Sequence, residues 1–328
     1  MPIRRHLAPN WFIQSRLKFR HLQVLAALLR DRKLHQAAAS LGLSQPAASK
    51  LLIDLETAIG QPLFDRHGRG LEQNIYGEIL TRRAQAILAE LDGARDEINA
   101  IQDGHLGRVT IGAIDGPIVD LLSSVLAIAQ ERHPRIEIEL EAGSSNFLLD
   151  RLLTGHLDIM LGRPTPSFDR SMFTYEELGT EALCLVGRHG HPFQHRQTVD
   201  IAELHDASWV LQAHGSRLRT RVDDLFHTAG LLPPARVVST NSLLMTLTYV
   251  ARTDAISIVS EPVARQQEAC GQLCILPLDT EISAGAYGLI LPNQRPCSPA
   301  TLVMLRLLDD VRLSWKPVRT GTARPSSR

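Results

Sequence analysis

Residues 44–60 read SQPAASKLLIDLETAIG. Ser44 suits an N-cap, since its hydroxyl can accept a backbone N–H left open in the first turn. Pro46 falls in that turn, where its missing N–H costs nothing. Ala48, Leu51, Leu52, Leu55 and Ile59 then recur at helical spacing along one stripe, and Gly60 ends the run. The opposite side carries Gln45, Ser49, Lys50 and Ile53. Just upstream, Leu34–Leu41 predicts a short alanine-rich helix closed by Gly42, a residue that tolerates the positive φ of a tight turn. Two short helices joined through a glycine form a helix-turn-helix, in which the start of the second helix enters the major groove of DNA. There Gln can pair with adenine through two hydrogen bonds, and Ser or Lys can reach phosphate or base. The competing reading is a polar helix face that touches nothing.

The flanks support the first reading. Residues Arg16–Leu29 predict an amphipathic helix with Phe19, Leu22, Leu25, Ala26 and Leu29 on its apolar stripe. After Gly60, Gln61–Leu71 reads as strand, glycine turn, strand, with Leu63 and Phe64 docking it and Arg69 at a basic tip that fits a minor groove. The chain has no net charge, but residues 1–70 hold 11 Lys/Arg against 4 Asp/Glu, and the remainder 24 against 31. A basic head on an acidic body is the layout of a phosphate-binding protein.

The run Leu41-Gly-Leu-Ser-Gln-Pro-Ala-Ala-Ser-Lys50, with Ala37-Ala38 before it and Leu63-Phe-Asp-Arg66 and Arg69-Gly70 after it, resembles the LysR-type transcriptional regulators. The resemblance extends over nearly the whole chain. It implies DNA contacts from Gln36, Ser44, Gln45, Pro46, Ala47, Ser49 and Lys50, with Arg66 and Arg69 on the wing. One departure follows the wing: where the family usually shows L-T-x-A-G, this chain has Gln73-Asn-Ile-Tyr-Gly77. Asn74 can cap the next helix as Thr would.

From Ile75 to about Asp103 no proline interrupts, and Leu80, Ala84, Ile87, Leu91, Ala94, Ile98 and Ile101 repeat at alternating steps of four and three. That period of 3.5 predicts a left-handed coiled coil, hence a homodimer and an operator built as an interrupted inverted repeat. An ordinary amphipathic helix packed within its own chain is the alternative. The family resemblance implies a homotetramer.

Beyond Gly107 strands and helices alternate. Arg108–Ile114, Ile136–Leu140, Asp158–Leu161, Ala182–Val186, Trp209–Leu211, Ala255–Val259 and Tyr287–Leu291 read as strands, which predicts mainly parallel sheets. In such sheets ligands sit beyond the carboxyl ends of strands, where helix N-termini converge. Four turns there are rich in small polar residues: Ile114-Asp-Gly-Pro117, Gly143-Ser-Ser-Asn146, His214-Gly-Ser216 and Ser239-Thr-Asn-Ser242. They suit a small polar or anionic metabolite, although plain helix capping would use the same residues. The family resemblance implies a periplasmic-binding-protein-like effector domain, with lobe I at 107–163 and 267–315 and lobe II at 164–266. The cleft candidates are then Asp115, Ser144, Ser145, Asn146, Arg163, Ser216, Thr240, Asn241 and Ser242. Arg163 could fork onto a ligand carboxylate or form a surface ion pair.

The expected fold is therefore α/β overall: a flexible extension at 1–15, an all-α-dominated winged helix-turn-helix at 16–74, a linker helix at 75–106, a two-lobed α/β effector domain at 107–315 and a disordered tail at 316–328. No apolar run reaches the roughly 20 residues of a membrane span, and no signal-peptide pattern opens the chain, so it reads as cytoplasmic. Four cysteines make no disulfide framework and read as small buried or half-buried thiols. His189, His191 and His195 lack a ligand spacing for metal, and Trp209 and Trp315 read as packing residues. No cofactor is implied. The expected partners are double-stranded DNA, a second copy of the chain, a small metabolite and RNA polymerase, with no membrane. An enzyme on a two-lobed fold with an accessory DNA-binding head is the alternative, but among the cleft candidates only Asp115 is acidic. Residues Phe173–Gly179, with Cys184-Leu-Val186 and His191-Pro192, resemble regulators of aromatic-acid catabolism and of sugar uptake without choosing between them.

Overall fold

The structure is a computed structural model, and it describes residues 7, 11, 17–31, 33–67, 70–102, 107–165, 171–293 and 295–314. The chain divides into two compact units, one holding residues up to Asn99 and the other most of the rest.

The first unit opens with α1 (Phe19–Asp31), α2 (Leu34–Ser40) and α3 (Gln45–Ile59). Helix α1 starts later than expected, because the His21 imidazole accepts the Lys18 N–H at 2.9 Å and turns the chain into the helix there. Its buried face is His21, Leu22, Val24, Leu25, Ala27 and Leu28, while Phe19 and Leu29 are exposed. Contact with both α2 and α3 widens the buried arc beyond a single stripe. The α2–α3 turn is as the sequence predicts. Gly42 takes φ +64°, the Leu43 N–H returns to Ala38 O at 2.9 Å, Ser44 accepts the Ala47 N–H, and Gly60 closes α3 at φ +77°.

A hairpin follows, β1 (Phe64–His67) paired antiparallel with β2 (Gly70–Gln73); its tip, with Arg69, lies outside the described residues. Helix α4 (Ile75–Gln102) then runs for 28 residues, roughly 40 Å at 1.5 Å per residue. Asn74 caps it, its Oδ1 accepting the N–H groups of Tyr76 and Gly77 at 3.0 and 3.1 Å. The expected seam divides here. Ala84 is fully buried in the head's own core, and Leu80 packs on the same cluster, because the first turns of α4 lie on the Leu55, Leu63 and Phe64 side chains. Those two positions are therefore taken within the chain. From Ile87 onward the apolar positions face solvent: Ile87, Leu91, Ala94 and Ile98 are exposed. The Ile101 side chain lies outside the described residues.

The second unit contains β3 (Gly107–Ala113), a π-helical turn at Ile118–Leu122 leading into α5 (Ser123–Arg132), β4 (Ile136–Ala142), α6 (Ser145–Leu153), β5 (Ile159–Gly162) and β6 (Phe173–Arg188). Then come β7 (Trp209–Leu211), α7 (Arg217–Thr228), β8 (Val237–Ser239), α8 (Leu243–Arg252), β9 (Ile256–Ser260), α9 (Glu261–Ala269), β10 (Leu273–Ile275), β11 (Ile282–Pro292) and α10 (Pro299–Ser314). The strands form one sheet in the order β4-β3-β5-β11-β6-β9-β7-β8, with β10 beside β6. Its flanks are parallel, β3 with β4 and β5 and β7 with β8 and β9, as strand–helix alternation predicts. Its middle is antiparallel, because the long strands β6 and β11 run side by side through both halves.

These two strands correct the expected lobe boundaries. Leu178, Leu289 and Leu291 pack on the core of Val109, Ile111, Leu122 and Met304. Leu183, Leu185, Ile282 and Ala284 pack on the core of Trp209, Phe226 and Ile256. The chain thus crosses between lobes within β6 and β11, not at the expected limits 163/164 and 266/267. Segment 173–178 belongs to the first lobe and 273–284 to the second, which moves both expected limits. No helix among the described residues is long and apolar enough to cross a membrane.

Candidate functional site

On α3 the side that the head does not cover presents Gln45, Pro46 and Lys50 as exposed residues, with Ser44 exposed just before them and Ala47 and Ser49 half-buried. Gln36 on α2 is exposed as well. Arg66 is on β1, but its side chain and all of Arg69 lie outside the described residues. Ser44 Oγ is engaged in capping, so its hydroxyl proton is what it can still offer outward.

In the second unit all nine expected cleft residues line one cavity of about 900 Å³ between the two lobes. Strand ends and helix starts bring them there: α6, α7, α8 and α9 all begin on its wall. Capping accounts for much of their chemistry. Ser144 accepts the Phe147 N–H, Ser216 that of Arg219 at 3.1 Å, Ser242 that of Met245 at 3.2 Å and Thr240 that of Ser242 at 3.1 Å. Asn241 Oδ1 takes the Ala213 N–H at 3.1 Å, and Ser145 Oγ takes the Arg163 N–H at 3.1 Å, tying the start of α6 to the end of β5. These hydroxyls keep their protons, so the wall faces the cavity chiefly as donors.

The charged centre of the cavity was only half visible in the sequence. Arg163 is buried and paired with Glu181, whose carboxylate is equally buried; the surface ion pair is thereby excluded. Burial, with Arg217 nearby, brings the Arg163 guanidinium down to about 10. Burial raises the Asp115 carboxyl above its ordinary range, against the pull of Arg163. Sequence reasoning missed Glu181, Arg217, Ser257 and Ser260 on this wall. Arg217 directly follows the cap Ser216 and was within reach of the same rule. Glu181 had only its position at the head of the apolar run Ala182–Val186 to mark it.

The clusters set aside in the sequence have structural places. His191 is buried against Gly187 and accepts the Phe193 N–H at 3.2 Å, while His189 and His195 are exposed. Trp209 packs edge-on against Phe226 and donates to Leu204 O at 3.0 Å. Cys274 is buried and Cys184 and Cys297 half-buried, but Cys270 is exposed, since it caps the solvent end of α9.

Comparison with known proteins agrees with this architecture. Residues 19–78 match the family described as bacterial regulatory helix-turn-helix protein, lysR family, and residues 102–312 match the LysR substrate binding domain. The chain is 40% identical over 308 residues to the HTH-type transcriptional regulator GbpR of Azospirillum brasilense, covering 93% of this chain and 90% of the relative. It is 30% identical to the regulator GalR of Pseudomonas putida, covering 89% and 73%. Among solved structures, CbnR, a LysR family transcriptional regulator, superposes with a TM-score of 0.60 at 19% identity, covering 90% of this chain and 99% of that one. A full-length OxyR variant from Pseudomonas aeruginosa does so with 0.56 at 22% identity, covering 90% and 95%. The chain belongs to the LysR family: it is a DNA-binding transcription regulator, not an enzyme, with a helix-turn-helix head and an effector-binding body.

Proposed function

We propose that the cleft holds a small polar or anionic metabolite and that its occupancy alters how a dimeric pair of heads engages promoter DNA. The observation that carries this reading is the convergence of all nine expected residues on one cavity whose buried Arg163 keeps an Nε without a hydrogen-bond partner among the described residues. A guanidinium taken out of water with a donor open is costly unless something supplies the acceptor. A ligand oxygen is the natural candidate, with the hydroxyl protons of Ser144, Ser216 and Ser242 around it.

In the same reading Gln36, Ser44, Gln45, Pro46, Ala47, Ser49 and Lys50 contact DNA, with Arg66 and Arg69 beside the groove. The exposed stripe Ile87, Leu91, Ala94 and Ile98 forms the dimer seam, continued by Ile101, and two dimers assemble into a tetramer. The protein acts in the cytoplasm on an interrupted inverted repeat, next to RNA polymerase, and its targets are catabolic or uptake genes. A thermal-shift screen of the full-length protein against small metabolites tests the central point. Stabilisation by one compound, lost in Arg163→Met, is the expected outcome; no stabilisation by any polar metabolite would refute the effector reading.

A further inference from the structure

The Arg163–Glu181 pair sits at an unusual place in the fold. Glu181 lies where β6 crosses from one lobe to the other, opposite Gly285 of β11. At that point the register between the two strands shifts and Gly285 takes φ +90°, a conformation that glycine adopts readily. Ser283 ties the irregularity together, its hydroxyl donating to the Glu181 carbonyl at 3.1 Å and accepting the Gly285 N–H at 3.0 Å. From the first lobe Gly116 presses on the Glu181 side chain: a Cβ there would stand 2.5 Å from the carboxylate. From the second lobe Arg217 donates to the carbonyl of Ala284, the residue that the register skips, at 3.2 Å. The carboxylate that neutralises the cleft arginine is thus carried by the hinge itself.

The pair is also open to competition. Among the described residues neither Arg163 Nε nor the Oγ of Ser260, which is buried against the same Gly116, has a hydrogen-bond partner, and both residues line the cavity. We propose that Arg163 and Glu181 form the switch through which occupancy of the cleft reaches the crossing of β6 and β11, an inference that rests on the effector reading above. A ligand oxygen drawn to Arg163 competes with the Glu181 carboxylate. Once released, that carboxylate is a buried charge without its partner, and the ladder irregularity at Gly285 lets the crossing move until water or another donor reaches it. The ligand then favours one lobe arrangement through a difference in interaction, which any population shift requires. No covalent bond changes.

The test needs no effector, so its outcome is separable from that of the metabolite screen. In full-length protein, Glu181→Gln should speed amide hydrogen exchange about tenfold at the crossing, residues 180–186 and 283–288, and leave β3 and β4 as they were. The neutral double variant Arg163→Met/Glu181→Leu keeps the volume without the charges. It should melt within about 2 °C of the wild type yet give an altered DNase footprint on DNA from the protein's own upstream region. Unchanged exchange at the crossing in Glu181→Gln would overturn the proposal. A wild-type footprint in the double variant would also overturn it, since the pair would then be merely structural; this readout stands even where the single variant fails to fold.

Discussion

Gln73, the last residue of the wing, donates from Nε2 to the hydroxyl of Thr81 at 2.8 Å, and Thr81 is 1% exposed. The family's apolar residue before the helix is thus replaced here by a polar one that finds a partner in the second turn of α4. This hydrogen bond ties the wing to the linker helix.

That pairing predicts a cycle. Thr81→Val leaves a half-buried amide without its acceptor and should cost about 1–3 kcal/mol of head stability. Gln73→Leu/Thr81→Val restores an apolar contact and should lie much nearer the wild type. Urea melts of the four proteins measure the coupling; purely additive effects would show that the bond contributes nothing.

Gly77 is fixed by a close approach. A Cβ at this position would stand 2.1 Å from Leu63 O, a backbone atom that also accepts the Asn74 N–H. Gly77→Ala should therefore destabilise the head by about 1–3 kcal/mol despite the helix propensity it gains, and thermal denaturation should report a lowered midpoint.

His21 gives the head a pH dependence. Burial lowers its pKa below 6.5, and its Nδ1 accepts the Lys18 N–H, which requires the neutral ring. The unfolded chain then binds the proton more readily than the folded one. Stability should be full above pH 6.5 and fall as pH drops from there through the lowered native value. His21→Gln should flatten this part of the stability profile; an identical slope in both proteins would remove His21 as the cause.

Leu91 sits 52% exposed on α4. In a seam it packs against a second copy, so Leu91→Glu should convert the protein to monomers in sedimentation while leaving the head's melt nearly unchanged. Persistence of the dimer would place the interface elsewhere.

What the sequence disclosed was local. The cap at Ser44, the turn at Gly42 and the stop at Gly60 depend on neighbours within four residues, and each is where the residues placed it. The cleft candidates followed from the small polar turns at helix starts, from Arg163 just past a strand end and from the two-lobed body that the family resemblance implies, and all nine line the cavity. The long crossing strands were hidden, because Glu176, Glu177 and Gly179 break the apolar alternation of β6 and only Ala182–Val186 showed a strand pattern. The Arg163–Glu181 pair was hidden for a related reason. It joins the residue just past β5 to one on β6, strands separated in the sheet by β11, and nothing in either local pattern requires it. The heptads of α4 were legible as a period, but which end faces the head's core is decided by the docking of Leu80 and Ala84.

Whether α3 lies against base pairs can be read from fluorescence anisotropy of the full-length protein on duplexes from its own upstream region across a salt series. Affinity should fall steeply with salt, the slope should drop by about one in Lys50→Ala, and Gln45→Ala should lose about 1–3 kcal/mol at one base position only. Binding that is absent, or indifferent to salt and to both substitutions, would rule out α3 as the base-reading helix.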